Sequence, residues 1–417
     1  MIHLHPCPVS NHRCPHCGTA LQSIDWYMPG MRMLAELSCP DCDRRYYGDL
    51  PAGGGLYYPM LLDQETGQVF DAHGVPWFAD WLEQSYVNRI DTPVELTVEQ
   101  FAPLHKPVLL NCLDTLYGHC LLKLLNAQVI LDRHAGHDLI VLVPAFLRWM
   151  VPDGVAAVWS VDWPLDKGTQ WNDRLAGDLK RRIADLGQCQ LSVALSHPHP
   201  RDFDIERFTG VPPFPIDQLS GRLDRPTVTF IWRDDRRWEP DGRGSQPNGS
   251  PPSQTQAVTC LAESIRTDWP AVRFSIVGMG HAGGLPDWIA DLRQRDPDEQ
   301  VERRWCRQYA DSHLVIGVHG SNMLLPSAHA GVVLDLMPSD RWGNALQDIL
   351  TPARDPREAV LRCRLLPASI GPEELALIAG QTLRHFPDQA HQLWGDGCRH
   401  LNPKTGHRPD ARTLQRL

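Results

Sequence analysis

The sequence predicts an α/β protein with two parallel-sheet domains and a small N-terminal metal-binding module. From Lys106 onward, apolar strand-like runs alternate with segments of helical periodicity, which is the pattern of parallel sheets covered by helices. A proline-rich segment, 197–226, divides this alternation into two sets, which indicates two domains. Two pairs of closely spaced cysteines before residue 50 predict the N-terminal module.

Composition limits the functional class. The chain has 417 residues, 42% of them hydrophobic and 22% charged, as in globular proteins of two or three domains. The net charge of −10 argues against a general nucleic-acid binder, so no nucleic-acid partner is expected. No apolar run reaches the roughly 20 residues of a membrane helix. The N-terminus lacks a signal-peptide pattern. We therefore expect a cytoplasmic protein without a transmembrane segment.

The first structured segment is expected to bind a metal. Cys14 and Cys17, then Cys39 and Cys42, form two C-x2-C pairs separated by 21 residues. Each pair places two thiolates on one turn, and two such turns complete the tetrahedral site that Zn²⁺ prefers. We predict a zinc ribbon over residues 1–50. A site of four thiolates has no open position, so a structural or partner-docking role is expected for the zinc.

The next segments join the ribbon to the first α/β domain. Residues 51–105 are predicted to form a connector of a few short strands and a helix. Residues 106–220 are predicted to form the N-terminal domain, with strands at "PVLLNC", "DLIVLVP", "VAAVWSV" and "QLSVAL". Its most amphipathic helix would place Leu175, Leu179 and Ile183 on one face.

Residues 221–370 are predicted to form the second α/β domain, followed by a helical tail over 371–417. The domain begins with the strand "TVTFIWR". The Gly-, Pro- and Ser-rich stretch 239–256 is expected to be a flexible surface loop, and residues 286–310 are expected to be helical.

One strand end in this domain predicts a ligand site. "HLVIGV" is apolar on both faces, as in a central parallel strand, and His319, Gly320, Ser321 and Asn322 follow it. Gly320 permits close approach of the backbone, and Ser321 or Asn322 is expected to cap the helix "MLLPSAHA", whose amides would bind a phosphate. The alternative is an ordinary strand–turn–helix connection with a routine cap.

Arginines follow the first strand of the same domain. Arg233 and Arg236 in "FIWRDDRRWEP" would pair with the oxygens of a diphosphate held at the neighbouring strand end. The alternative is surface ion pairing with Asp234, Asp235 and Glu239.

A glycine-rich loop follows a later strand. "VGMGHAGG", with Gly278, has the spacing G-x-G-x-x-G, but it does not follow the first strand of its unit. We expect a loop beside a nucleotide base rather than an NAD fingerprint.

Together these motifs resemble the pattern of glycosyltransferase family 61. The similar segments are "RPTVTFIWRDDRRW", "EQVERRWCRQYADSHLVIGVHGSNMLLPSAHAGVVLDLMP" and, in the first domain, "NCLDTLYGHCLLKLLNAQ". The resemblance covers roughly Asn111 to Pro338. Ser321 stands where the family pattern usually has Ala, and the ribbon and the Gly/Pro/Ser-rich loop are additions.

The resemblance implies an architecture and a reaction. It implies two Rossmann-like domains facing a cleft (GT-B), an inverting and metal-independent glycosyltransferase, and a nucleotide-sugar donor held by the motifs near Arg233 and His319. The acceptor would be a carbohydrate, a glycoconjugate or a protein. His119 matches the family motif, and His119 or Asp114 would be the catalytic base. In the alternatives, His119 orients the domain interface and Asp114 caps its helix.

A different class of function is also consistent with the sequence. A non-catalytic protein could bind a nucleotide or sugar phosphate in its α/β body and recruit a partner through the ribbon. Turnover of a nucleotide sugar distinguishes the two hypotheses.

Overall fold

The protein, described here by a computed structural model, forms three sheets. The structure describes residues 1–5, 7–8, 11–216, 223–240, 253–352 and 356–394. The expected surface loop at 239–256 and the expected tail at 371–417 therefore lie partly outside the described residues.

The strands are numbered in chain order. They are β1 Ile2–His5, β2 Gln22–Tyr27, β3 Leu34–Ser38, β4 Arg45–Asp49, β5 Met60–Asp63, β6 Val69–Asp71, β7 Leu96–Gln100, β8 Pro107–Asn111, β9 Asp138–Pro144, β10 Ala157–Val161, β11 Cys189–Leu191, β12 Thr227–Arg233, β13 Arg273–Met279, β14 Ala290–Gln294, β15 Leu314–Val318, β16 Val332–Met337 and β17 Cys363–Pro367.

The α-helices are α1 Pro76–Val87, α2 Tyr117–Arg133, α3 Asp173–Ala184, α4 Ile205–Thr209, α5 Gln254–Asp268, α6 Glu299–Ala310, α7 Leu324–His329, α8 Pro356–Arg362 and α9 Pro372–Trp394. Among the described helices, none combines the length and the apolar character needed to cross a membrane.

The N-terminal module consists of the antiparallel sheet β2-β3-β4-β5-β6, the cysteine turns at its margin and helix α1. The sheet continues to Asp71, past the boundary expected at residue 50, because Tyr46–Gly48 of β4 pair with Leu61–Asp63 of β5. The first strand, β1, pairs instead with β11 of the first α/β unit.

The first α/β unit has the strand order β1-β11-β8-β9-β10-β7. Strands β8 to β11 are parallel, and β1 and β7 pair antiparallel at the two edges. Every residue of β8 and β10 is buried, which explains their mostly apolar sequence. In α3 the predicted stripe of Leu175, Leu179 and Ile183 is buried, and Asn172 caps the helix through the amides of Arg174 and Leu175.

The second α/β unit is a six-stranded parallel sheet of order β14-β13-β12-β15-β16-β17. With its strands counted from β12, this is the order 3-2-1-4-5-6 of a Rossmann fold. The chain therefore has the predicted α/β class, with two Rossmann-like units and a cysteine-rich N-terminal sheet.

The prediction of helical segments over 286–310 is confirmed for the second part of this range and wrong for the first. Strand β14 occupies Ala290–Gln294 and pairs parallel with β13, and helix α6 begins only at Glu299. Asp298 caps that helix by accepting a hydrogen bond from the amide of Val301. Strand β14 lies at the edge of the sheet, and its Arg293 is buried against the Trp232 ring and paired with Asp291. The strand therefore has a polar sequence, which does not show the apolar pattern that identified the other strands.

Candidate functional site

The four predicted cysteine ligands lie together. The sulfur atoms of Cys14, Cys17, Cys39 and Cys42 all lie within 4.8 Å of one another. Among them, Cys14 Sγ is 3.6 Å from Cys42 Sγ, and Cys17 Sγ is 3.4 Å from Cys39 Sγ. Four thiolates bound at a Zn–S distance of about 2.3 Å would be separated by about 3.8 Å. The cluster therefore has the size of a tetrahedral metal site.

The turns that carry the cysteines are built alike. The amide of Gly18 donates to the carbonyl of Cys14 at 2.9 Å, and the amide of Asp43 donates to that of Cys39 at 3.0 Å. Gly18 and Asp43 both have positive φ, which lets each turn fold back behind its cysteine pair. The Tyr46 hydroxyl lies 3.3 Å from Cys14 Sγ, at the buried side of the cluster.

In each α/β sheet there is one point at which the direction in which successive strands are added reverses. In the second unit this point lies between β12 and β15, and in the first it lies between β8 and β11. Open α/β sheets bind ligands outside the carboxyl ends of the strands at such a point. The predicted arginines follow β12 and His319 follows β15, while Asp114 follows β8 by three residues. The predicted site residues of both units therefore lie where the topology favours a ligand.

In the first unit, Asp114 is buried and binds two side chains. His119 Nδ1 lies 3.1 Å from Asp114 Oδ1, and Lys123 Nζ lies 2.6 Å from Asp114 Oδ2. Lys123 also donates to the carbonyl of Leu113 at 2.9 Å. Burial alone would raise the pKa of Asp114, but Lys123 and then His119 outweigh it and hold this pKa well below its usual range. Asp114 is therefore a fixed carboxylate.

This carboxylate determines the state of His119. Because a carboxylate only accepts hydrogen bonds, the Nδ1 of His119 carries a proton, and Nε2 of the neutral ring keeps a lone pair. The His119 side chain is 34% exposed, so this lone pair is accessible. The arrangement can accept a proton from a ligand. Asp114 does not occupy the cap position of α2, which begins after Leu116 without a side-chain cap.

In the second unit, Arg236 lies against the glycine that follows His319. Its Nη1 donates to the His319 carbonyl at 2.7 Å. A Cβ added to Gly320 would lie 2.0 Å from this Nη1, and Gly320 has a φ of +147°. The position therefore requires glycine for two reasons, its backbone conformation and the close approach of Arg236.

Arg233 is engaged differently. Its guanidinium forms an ion pair with Asp235, which corresponds to the alternative drawn from the sequence, and Nη1 lies 3.4 Å from Asn322 Oδ1. Burial lowers the pKa of Arg236, and the positive charges of Arg233 and Arg341 lower it further. Positive charge is thus concentrated at the ends of β12 and β15, where an anionic ligand would neutralise it.

The expected cap at Ser321 or Asn322 is wrong. Residues Ser321–Met323 form one 3₁₀ turn before α7, and neither turn nor helix has a side-chain cap. Asn322 instead donates to the carbonyl of Val318 at 3.3 Å. Leu324, which begins α7, and the rest of that helix are buried.

His319 is almost fully buried and bonded at both ring nitrogens. Nδ1 lies 2.7 Å from Asp335 Oδ2, and Nε2 lies 3.2 Å from the Asn344 carbonyl. Asp348 Oδ2 lies 3.6 Å from the same Nε2. Both hydrogen-bonding partners are acceptors, so the ring is a cation. Burial would lower its pKa, but Asp335 and then Asp348 raise it above the ordinary value. His319 holds the chain around the strand end rather than presenting a nitrogen to a ligand.

The predicted glycine Gly278 has a packing role in the structure. It lies in β13, opposite Trp232, with a φ of +131°, and an added Cβ would fall 2.2 Å from the Trp232 carbonyl oxygen. The glycine-rich segment leads into β14 rather than into a helix, so it lacks the context of a dinucleotide fingerprint.

The two units touch between these sites. A Cβ added to Gly118, next to His119, would lie 2.7 Å from Ser321 Cβ and 3.0 Å from Leu324 Cδ1. The pKa of Asp348, raised mainly by burial, is lowered by His319 and also by His119 and Arg236. The His119 ring and the arginine-bearing strand ends therefore face a common region.

A second contact between the units involves Glu302 on α6. Trp149 Nε1, from the first unit, donates to Glu302 Oε2 at 2.7 Å, and Arg303 Nη2 donates to the Trp149 carbonyl at 3.2 Å. Burial raises the pKa of Glu302 to about 7, although hydrogen bonds from Trp149 and Tyr117 oppose this.

Sequence reasoning missed three residues of the site. Lys123, Asp335 and Asp348 each bind a predicted residue or lie beside it. For two of them a signal was present, because Lys123 stands alone in "CLLKLL" and Asp335 stands alone in "VVLDL". A single charge inside an apolar run of an element buried on several sides needs a partner. Asp348 follows β16 in an irregular segment and has no comparable pattern.

Comparisons with known proteins add only a general likeness. No protein-family model and no curated protein matches the chain. Among solved structures, an ADP-heptose lipopolysaccharide heptosyltransferase II from E. coli is 12% identical and has a TM-score of 0.37, covering 69% of this chain and 99% of that chain.

Two further structures are similar to the same extent. A glycosyl transferase family 9 protein from Veillonella parvula is 9% identical with a TM-score of 0.40, covering 69% of this chain and all of that one (100%). A protein from Listeria monocytogenes assigned as a UDP-N-acetylglucosamine 2-epimerase is 12% identical with a TM-score of 0.38, covering 70% and 91%. At these values the likeness carries no argument about activity, and the fold described above rests on its own strand order.

Proposed function

We propose that the protein is a glycosyltransferase of GT-B architecture, similar to family 61, that transfers a sugar from a nucleoside-diphosphate sugar to an acceptor hydroxyl with inversion and without a catalytic metal. The observation that supports this most is the arrangement at the two strand-order reversals. An accessible histidine nitrogen on one unit faces the same region as a half-buried arginine on the other.

In the proposed reaction the first unit, 106–220, binds the acceptor and the second, 221–370, binds the donor. His119 Nε2 takes the proton of the acceptor hydroxyl while that oxygen attacks the anomeric carbon. The bond from this carbon to the diphosphate breaks, and the leaving nucleoside diphosphate keeps the electron pair. Asp114 stabilises the imidazolium that forms, and Lys123 keeps Asp114 ionised.

Arg236 would stabilise the negative charge that develops on the leaving diphosphate. Its position at the His319 carbonyl, opposite Gly320, places it at the end of β15. Arg233 would assist once it gives up its ion pair with Asp235 and binds a phosphate oxygen instead. His319, Ser321 and Asn322 shape the strand end, and Gly278 keeps β12 and β13 close together.

The first test is thermal stabilisation of the full chain by UDP, GDP, dTDP, ADP and CMP, followed by turnover of the matching nucleotide sugar. We expect one nucleotide to stabilise the protein and Arg236→Ala to abolish the shift. The matched control is Arg237→Ala, because Arg237 is exposed and donates to the carbonyl of neighbouring Asp234. Binding without turnover would favour the non-catalytic nucleotide-binding alternative, and no binding would contradict both.

For the N-terminal module we propose a structural Zn²⁺ held by Cys14, Cys17, Cys39 and Cys42. The size of the cluster supports it. Elemental analysis should find about one zinc per chain in the wild type and none in Cys39→Ser, with Cys260→Ser as the control. A metal-free wild type that unfolds at the same temperature with and without added Zn²⁺ would refute the assignment. The reduced cysteines of such a site also support a cytoplasmic location.

A further inference from the structure

The N-terminal module carries a row of exposed aromatic rings, called here the aromatic platform and formed by Tyr57, Tyr58, Trp77 and Trp81. Tyr57 is 44% exposed, Tyr58 39% and Trp77 52%, whereas Trp81 is half-buried. The rings follow one another at centroid distances of 6.4 Å from Tyr57 to Tyr58, 6.5 Å from Tyr58 to Trp77 and 5.1 Å from Trp77 to Trp81. A continuous exposed apolar surface of this kind marks a binding site more often than an isolated exposed ring does.

The platform rests on a rigid support. Phe78 is buried beneath it, with its ring centroid 6.3 Å from that of Tyr58 and 5.4 Å from that of Trp77. The Arg32 guanidinium lies 3.6 Å from the Phe78 centroid and donates to the Phe78 carbonyl at 2.6 Å. Arg32 is itself held by Asp49 at 2.8 Å. Ordering these rings on a ligand would therefore cost little additional entropy.

The chain segment that carries the platform also lies close to residues that bind the proposed catalytic base. The 3₁₀ turn Gly53–Leu56 leads into Tyr57 and Tyr58, and its first residue lies beside Lys123 of helix α2. A Cβ added to Gly53 would lie 3.5 Å from Lys123 Cε, and Lys123 binds Asp114, which binds His119. The platform is thus continuous with the acceptor side of the proposed active site.

The charged residues around the platform indicate which class of ligand it can bind. Between Tyr46 and Asn88 the chain has no Lys or Arg and six Asp or Glu residues, of which Asp80 and Glu83 are exposed on α1. This surface repels phosphate, anionic lipid and nucleic acid. The side chains of Tyr57, Tyr58 and Trp77 are exposed, so their phenol and indole N–H groups can bind hydroxyl groups of a ligand.

We propose that the aromatic platform binds a neutral carbohydrate chain, whose pyranose rings stack on Tyr58 and Trp77 and whose end is presented to His119. This inference rests on the proposed function, because it names the acceptor of the same reaction as an oligosaccharide. It also gives the N-terminal module a role in substrate recognition beyond metal binding.

The test measures carbohydrate binding without a donor. The full chain is titrated with neutral hexasaccharides of β-1,4-glucose, α-1,4-glucose, β-1,4-mannose, β-1,4-galactose and β-1,4-N-acetylglucosamine, followed by calorimetry and tryptophan fluorescence. We expect at least one to bind, and Trp77→Ala to weaken binding by about tenfold or more. Tyr58→Phe keeps the ring and should weaken binding less than Tyr58→Ala does. Phe101→Ala is the matched control, because Phe101 is 58% exposed on the first unit, outside the platform.

Binding to no hexasaccharide, or equal binding by wild type and Trp77→Ala, would overturn the proposal. So would binding to phosphatidylcholine vesicles, or a dimer in solution, that Trp77→Ala abolishes, since either result would assign the platform to another occupant. The nucleotide-stabilisation experiment is repeated on Trp77→Ala. If nucleotides bind and sugars do not, only this inference fails. If sugars bind and nucleotides do not, the donor half of the proposed function fails instead.

Discussion

The two α/β units each place a histidine–aspartate pair after a strand at the reversal of strand order, and the two pairs differ in what surrounds the second ring nitrogen. In the first unit, His119 is 34% exposed, and among the residues that the structure describes it is bonded through Nδ1 to Asp114. In the second, His319 is 1% exposed, with Asp335 at Nδ1 and the Asn344 carbonyl at Nε2. The Nε2 of His119 is left for a ligand, whereas both nitrogens of His319 are bonded to acceptors within the protein. The same two residue types therefore serve different purposes, and burial of Nε2 makes the difference.

The largest effect expected from this comparison concerns activity. His119→Ala should lower kcat by about 10²- to 10⁴-fold, because it removes the group that accepts the proton, while leaving nucleotide binding unchanged. Steady-state kinetics together with nucleotide stabilisation measure both quantities. A variant with normal kcat would show that His119 only orients the interface between the units.

The second effect concerns the arginine beside the other histidine. Gly320→Ala places a Cβ where Arg236 Nη1 lies and strains a backbone with a φ of +147°, so it should displace the guanidinium and weaken nucleotide binding by about tenfold or more. Gly343→Ala is the control, because an added Cβ there meets no atom within 4 Å. Unchanged nucleotide affinity in Gly320→Ala would remove Arg236 from the donor site.

The third effect concerns stability. His319→Ala leaves Asp335 buried without its cation and should lower the free energy of unfolding by about 3–5 kcal/mol. Because the pKa of His319 is raised in the folded protein, its contribution is fully present below its unfolded pKa and is lost as the pH rises through the folded pKa. The difference between wild type and His319→Gln in denaturant unfolding should therefore shrink as the pH rises. A difference that grows with pH would contradict the cationic ring.

The smallest effect concerns the contact between the units. The pKa of Glu302 is raised to about 7, so its ionisation destabilises the folded protein increasingly from its unfolded pKa up to about pH 7. Glu302→Gln keeps an acceptor for Trp149 and should raise the melting temperature by a few degrees at about pH 8, with no gain at about pH 4.5. An equal gain at both values would show that ionisation is not the cause. Glu83→Gln, at an exposed position on α1, is the control.

The two units also show which parts of the fold and of the site could be predicted from the sequence. Alternating strands and helices predict both sheets, and the strand ends bearing Arg233 and His319 could be located, because buried parallel strands are apolar along their whole length. That both ring nitrogens of His319 are bonded within the protein could not be predicted, since Asn344 and Asp348 come from a segment without periodicity. The same limit applies to Arg233, whose pairing with Asp235 depends on side-chain geometry that spacing does not encode.

The contact between Gly118 and Ser321 has a consequence for the order of events in turnover. It leaves no space for a methyl group between the helix that carries His119 and the turn that follows Gly320. On the proposed mechanism, a nucleoside diphosphate formed behind this contact leaves only if the units separate or if it passes around them. On the first route the opening rate of this contact sets a ceiling on kcat, and departure of the spent nucleotide limits turnover whenever opening is slower than sugar transfer.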